Sequence, residues 1–459
     1  MKNNLKAFVF FLLLSNTAFA NVTLPNVISD NMVLQRNSDV KIWGWANPQE
    51  EVVIAPSWNN QTYKIKASNQ AKWEITIPTP KEGGPYTISI KGYNEIVLKN
   101  ILIGEVWVCS GQSNMEMNAS WGIENGDEAV KAATNPSIHF FVVPKLTATT
   151  PQNNLSGNWT ECTPETMKYF SATGYFFAKR LQEELKNVPI GLISSNWGGT
   201  PAEIWTPEEV IENNEVLLES AKTRREESYG PNQPGRAFNA MIYPLTNFKI
   251  AGVIWYQGES NVGSPVYDKT FSALITSWRK LWNTDFPFYY VQIAPYKYGE
   301  NHFGGAVIRD AQRKVLQEVP NTGMAITSDI SPIDDIHPKD KKSVGTRLAN
   351  LALFNTYKTN TNLVNGPLYK AIQIDKNKVI VSFDFAEGLH FTHTKTNQFE
   401  LAGIDSVFYE AIAVIKNNTV ILQSDKVKNP VKVRFAWKNT DQSQLFNKAN
   451  LPASSFLSE

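Results

Sequence analysis

An apolar run, Ile101-Leu-Ile-Gly followed by Val106-Trp-Val, stops at Ser110-Gly111, and Ser113 stands just beyond the stop. The run predicts a buried strand. A strand that breaks at glycine before a serine exposes a hydroxyl beside free backbone N–H groups. That geometry suits a nucleophilic serine, because the same N–H groups can stabilise an oxyanion. It also suits a helix N-cap, the more ordinary role of a lone serine at a strand end. Other segments decide between the two.

A chain of 459 residues is expected to divide into two or three domains. With 42% hydrophobic and 19% charged residues it can bury large cores. A net charge of +1 argues against nucleic acid or an anionic membrane as the main partner. Lys2 and Lys6 precede the apolar run Ala7-Phe-Val-Phe-Phe-Leu-Leu-Leu14, and Ala18-Phe-Ala20 supplies small residues before a cut. Residues 1–20 therefore predict a Sec-type signal peptide cleaved after Ala20, and a periplasmic or secreted mature protein. No later run approaches the roughly 20 apolar residues of a membrane span. Cys109 and Cys162 can form one disulfide in an oxidising compartment or remain core thiols. Without a Cys/His cluster at ligand spacing, neither a metal nor another cofactor is expected. The 13 tryptophans fit β-rich cores and also sugar-stacking surfaces.

The periodicity changes twice along the chain. From 21 to about 100, short alternating runs such as Val40-Lys-Ile-Trp-Gly-Trp45, Trp73-Glu-Ile-Thr-Ile77 and Tyr86-Thr-Ile-Ser-Ile90 predict a small β-sandwich. From about 101 to 355, apolar runs at Ile190–Ile193, Ala251–Tyr256, Phe288–Ile293 and Gly323–Ile326 alternate with helical patterns. Tyr267, Phe271, Leu274, Trp278 and Leu281 form one such stripe, and Phe177, Leu181 and Leu185 another. The fold class is α/β with a mainly parallel sheet, interrupted by a charged helical insertion at about 206–235. From 356 to 459 the pattern returns to strands.

A serine nucleophile needs a base. Of five histidines, His337 alone sits in a tight acidic loop, Ile333-Asp-Asp-Ile-His-Pro-Lys339, before a helical run. Asp334 stands at a spacing that can bond the ring nitrogen turned away from the serine, and Asp335 is closer. Two further polar loops follow strands. In Ser194-Ser-Asn-Trp-Gly-Gly-Thr200, Gly198 or Gly199 can bring a bare N–H to a reacting carbonyl. Trp255-Tyr-Gln-Gly-Glu-Ser-Asn261 places Gln257, Glu259 and Asn261 at a sheet edge. Ligand sites of open parallel sheets gather at the carboxyl ends of strands, and all four loops lie there.

Gly111-Gln-Ser-Asn-Met115, Trp255-Tyr-Gln-Gly-Glu-Ser-Asn261 and Asp334-Asp-Ile-His-Pro338 resemble the motifs of the sialate O-acetylesterases, a branch of the SGNH-type carbohydrate esterases. Val27-Ile-Ser-Asp-Asn-Met-Val-Leu-Gln35 and the final β-region extend the resemblance over the mature chain. It implies a flavodoxin-like hydrolase domain, with Ser113 as nucleophile, His337 as base and Asp334 as its orienter. It also implies an oxyanion hole from the Ser113 N–H, a glycine of the second block (Gly199) and an amide of the third (Gln257, with Asn261 as the alternative). Gln112, Asn114, Glu259 and Asn261 are the polar residues expected at the substrate.

The implied reaction is removal of O-acetyl groups from a sialic acid, without a cofactor. The absence of a Gly-x-Ser-x-Gly elbow around Ser113 disfavours the common α/β-hydrolase fold. Acetylated xylan is the alternative substrate. A glycan-binding module without catalysis is a third reading, although such a module needs none of Ser113, His337 and Asp334. Arg309 can pair with a sialate carboxylate or with a surface acid, and Trp121, Trp197 and Trp205 can stack a sugar or fill a core.

Overall fold

The computed structural model describes residues 21–458 apart from 187, 226, 300, 301, 360, 394 and 395. The expected signal peptide lies outside the described residues. No described helix is long and apolar enough to cross a membrane.

One long strand, β1 (Glu95–Gly111), joins the N-terminal region to the centre of the molecule. Its first half pairs antiparallel with Gly83–Lys91, and its second half pairs in parallel on both sides. It thus runs through the boundary expected near residue 100. Every residue from Ile101 to Gly111 is buried. The strand alternates, and its two faces feed different cores. Val106 and Val108 join one cluster, Trp107 and Cys109 the other.

Around β1 the sheet adds β2 (Asn135–Val142), β3 (Trp159–Cys162), β4 (Ile190–Asn196), β5 (Gly252–Tyr256), β6 (Phe288–Val291) and β7 (Thr322–Ala325). The spatial order is β7-β6-β5-β1-β4-β2-β3, with every pair parallel except β2–β3. In a flavodoxin the second strand lies beside the first. Here β4 lies between them.

After β1 the chain turns into α1 (Ser113–Glu116). The longer helices are α2 (Ala172–Glu184), α3 (Tyr267–Trp282), α4 (Gly304–Glu318) and α5 (Lys341–Asn355). Phe177 and Leu181 of α2 and Val344 and Leu348 of α5 pack with Trp107. Phe271 and Trp278 of α3 and Ile308 and Val315 of α4 pack with Trp255 in the other cluster. The α3 stripe holds at Tyr267, Phe271, Leu274 and Trp278, but Leu281 is exposed and Trp282 is buried instead. At 3.6 residues per turn the stripe drifts, so its last member falls one residue later. Helices at Glu208–Glu212 and Glu215–Lys222 occupy the charged insertion, with Ile211, Leu217 and Ala221 packed on Ala273 of α3.

Cys109 and Cys162 are both free and buried, on strands separated by β4 and β2, so they act as core thiols. Burial alone pushes the Cys109 thiol far above its ordinary value.

The N-terminal region places Glu51–Pro56 between Gly83–Lys91 and Tyr63–Lys66, with Asp39–Trp45 and Lys72–Pro78 as a second pair. The C-terminal region holds two four-stranded antiparallel sheets around Val379, Val381, Phe399, Leu401, Phe435 and Phe456.

Arg309 of α4 ties this last region to the central domain. It is 1% exposed, and its guanidinium donates to Ser455 Oγ (3.0 Å) and to the carbonyls of Asn439 (3.2 Å), Ala436 (3.3 Å) and Lys438 (2.6 Å). It is neither a surface ion pair nor free for a substrate. Arg309→Met keeps the stem but removes four hydrogen bonds from a buried guanidinium that joins two regions, so unfolding free energy should fall by about 3 kcal/mol or more in urea melts.

Candidate active site

The register brings the motif loops to one edge. Gly111 at the end of β1 is level with Asn196 at the end of β4 and with Tyr256 at the end of β5. Their loops, and the loop after β7, open on the same side of the sheet. At Gly111 φ is +134°, and a Cβ would lie 2.2 Å from the Tyr256 carbonyl oxygen, so only glycine permits the turn. The Gln112 N–H bonds that same carbonyl at 2.9 Å. Ser113 is then the first residue of α1 rather than its N-cap, which is Gln112.

The Ser113 hydroxyl meets His337 Nε2 at 2.9 Å, across 224 residues of sequence. His337 is half-buried on the loop between β7 and α5, with Trp121 edge-on at 6.0 Å between ring centroids. Burial, and then the Lys341 ammonium, hold the imidazole pKa below its ordinary value, against opposing pulls from Asp335 and Glu116.

Three expectations about the site need correction. Asp334 is exposed and makes no bond to the ring. Asp335 instead accepts from the His337 backbone N–H at 2.8 Å, and its charge acts on the imidazole. Adjacent residues of a turn point different ways, and this turn brings the second aspartate inward.

Gln257 is fully buried, with its Nε2 donating to the Thr200 carbonyl (3.2 Å) and to Asn261 Oδ1 (2.7 Å). Its Oε1 accepts from Tyr267 (2.8 Å). Both amide hydrogens are committed, so Gln257 is not an oxyanion donor. The alternative, Asn261, is also fully buried and donates to Glu203 at 2.9 Å while accepting from the Ala202 N–H at 2.8 Å. Together they brace the loop after β5 against the loop after β4.

Asn114 and Glu259, expected at the substrate, lie inside the protein. Asn114 Nδ2 donates to Glu259 (2.6 Å) and to the Ile336 carbonyl (2.9 Å), and Asn114 Oδ1 accepts from Lys341 (2.6 Å). Gln112 is nearly buried, its Oε1 accepting from the N–H groups of Gly258 and Ser260.

The glycine pair of the second block divides its duties. Gly198 gives its N–H to Glu116 at 2.7 Å, and a Cβ there would lie 3.2 Å from Ser113 Cβ. Gly199 has φ +75° and sits against Tyr229, which a Cβ would meet at 2.2 Å. Its N–H and that of Ser113 have no acceptor among the described residues. An open cleft of about 860 Å³ begins at Gly199 and Ser260 and runs under the insertion, where Arg224, Arg225 and Tyr229 share its wall with Glu215, Glu219 and Glu227. Trp205 is fully buried in the core, whereas Trp121 is 43% exposed beside His337.

Sequence reasoning missed Lys341 and Glu116. Both are ordinary charged residues in sequence, and nothing in their spacing marks them. The burial of Lys341 and the partners of both do so in the fold.

Residues 103–353 match the family described as carbohydrate esterase, sialic acid-specific acetylesterase. The chain is 29% identical to the sialate O-acetylesterase of Homo sapiens, over 82% of this chain and 79% of that protein. It is 28% identical to the sialate O-acetylesterase of Mus musculus, over 92% and 91% respectively. The crystal structure of a carbohydrate acetylesterase from Xanthomonas citri superposes with a TM-score of 0.86 at 34% identity, covering 95% of this chain and 99% of that one.

Proposed function

Because the chain belongs to the sialic acid-specific acetylesterase family and is a carbohydrate esterase, we propose that it removes O-acetyl groups from sialic acids, with Ser113 as nucleophile and His337 as base. The observation that carries the reading is the 2.9 Å approach of His337 Nε2 to the Ser113 hydroxyl, on a turn with free N–H groups.

In this reading the neutral imidazole takes the Ser113 proton as Oγ attacks the acetyl carbonyl. The N–H groups of Ser113 and Gly199 hold the resulting oxyanion. His337 then protonates the departing sugar oxygen, leaving acetyl-Ser113. Water, deprotonated by His337, attacks that ester, and acetate leaves as Ser113 recovers its proton. Asp335 supplies negative charge to the imidazolium formed in each half. The domain is read as SGNH-type, and residues 1–20 as the signal that exports the chain to a periplasmic or secreted location.

The relatives' activity favours sialates. Acetate release from 9-O-acetylated sialic acid and from acetylated xylan, measured side by side with Ser113→Ala as the blank, tests this. Faster release from the sialate is expected. Faster release from xylan would overturn the substrate while leaving the chemistry intact.

The pH profile is a second check. Catalysis needs unprotonated His337, and a pKa held below the ordinary histidine value keeps the ring neutral to lower pH. The acid limb of kcat/KM should therefore fall below pH ~6.5, the value for a free imidazole.

A further inference from the structure

Lys341 is fully buried at the first turn of α5, a poor place for an ammonium. Burial strips its water, and the positive end of the helix dipole repels it. Burial pushes its pKa down to about 7, against the pull of Glu259, Asp335 and Asp340. A group so placed needs a compensating arrangement, and Asn114 is at its centre.

The orientation of Asn114 is unambiguous. The Ile336 carbonyl can only accept, so the nitrogen of the Asn114 amide faces it, and the oxygen therefore faces Lys341 Nζ at 2.6 Å. The same nitrogen donates to Glu259 at 2.6 Å. One amide thus joins the residue after the nucleophile, the loop that carries His337, the first turn of α5 and the loop after β5. Lys341 also lies over the Tyr256 ring, 5.1 Å from its centroid.

We propose that Lys341, coupled through Asn114 to Glu259, is a positioning residue for the esterase reaction, fixing the His337 loop on the nucleophile turn and setting a positive charge beside the imidazole. This rests on the reading of Ser113 and His337 as nucleophile and base. The charges facing His337 are Lys341 on one side and Asp335 and Glu116 on the other. Those facing Lys341 are Glu259, Asp335 and Asp340. Removing the ammonium leaves the imidazole under the two carboxylates alone, which favours its protonated form.

The test compares wild type, Lys341→Met, Lys341→Arg and Asn114→Ala for acetate release across pH. Lys341→Met should lower kcat by about 10²-fold with KM within about twofold, as expected for a misplaced base. Its acid limb should move to higher pH. Lys341→Arg should return the limb toward wild type. Asn114→Ala cuts the link but keeps the lysine, and should lower kcat in the same way, which preserves the test if Lys341→Met does not fold. Folded Lys341→Met or Asn114→Ala with wild-type kcat overturns the proposal. So does a lower kcat in Lys341→Met with an unmoved acid limb and no recovery in Lys341→Arg, which is plain loss of packing. If Ser113→Ala retains activity, the underlying reading fails instead. An inactive Ser113→Ala beside a normal Lys341→Met sinks only this inference.

Discussion

Ser113→Ala should lower kcat for acetate release by on the order of 10⁵–10⁶, with KM changed by less than about threefold. The substitution removes one oxygen from the residue at the head of a four-residue helix whose N-cap is Gln112, so no cap is lost. Among the described residues the hydroxyl bonds only His337 Nε2. Alanine favours a helix more than serine does, so the turn itself should survive. The oxyanion N–H groups and the cleft also remain, which is why binding should persist while turnover is lost. Steady-state kinetics with matched melting curves would separate the two. Near-normal turnover in a folded Ser113→Ala variant would remove Ser113 from the mechanism and leave the 2.9 Å contact unexplained.

His337→Ala should be nearly as damaging, about 10⁵-fold or more in kcat, and the double variant with Ser113→Ala should be no worse than either alone. The serine hydroxyl is a weak nucleophile without a base, and the base has no role without the hydroxyl. Losses of a pair acting as a unit therefore do not add. His337 is half-buried on a loop held by Asp335 through the backbone and by Asn114 through Ile336. Neither hold uses the imidazole, so the loop should keep its path in the variant. Labelling of Ser113 by a fluorophosphonate should fall with kcat. Labelling at the wild-type rate would mean that another group activates the hydroxyl. Additive losses in the double variant would contradict the coupling directly.

Much of the site could be read from the chain because its main parts depend on local patterns. An apolar run that ends at glycine before a serine is a local statement, and Gly111 confirms it with a φ only glycine tolerates. The loops carrying Gly199, Gln257 and His337 were likewise marked by position after strands, and parallel pairing brings such ends together whatever their side chains do. The apolar stripes of α2 and α3 follow from helical periodicity, with the slip from Leu281 to Trp282 a consequence of its non-integral repeat.

Other features were set by partners that adjacent sequence does not reveal. Gln257 reads the same in a polar loop whether its amide faces a substrate or the Thr200 carbonyl, 57 residues away. Asn114 and Glu259 are polar residues beside motifs, and only a contact spanning 145 residues turns them inward. Arg309 begins a helical run that looks exposed until the C-terminal region closes over it with four acceptors. Asp334 and Asp335 read alike in the sequence, and only the direction of the turn leaves the first exposed and sets the second against the His337 backbone N–H.

The sequence by itself marked most of the central strands, though not Asn135–Val142 or Trp159–Cys162, and the residue types that stand where they break. Those follow from burial and backbone preference over a few neighbours. The tertiary structure decided where each polar side chain spends its hydrogen bonds, because a buried donor or acceptor must be satisfied by whatever the fold brings within about 3 Å.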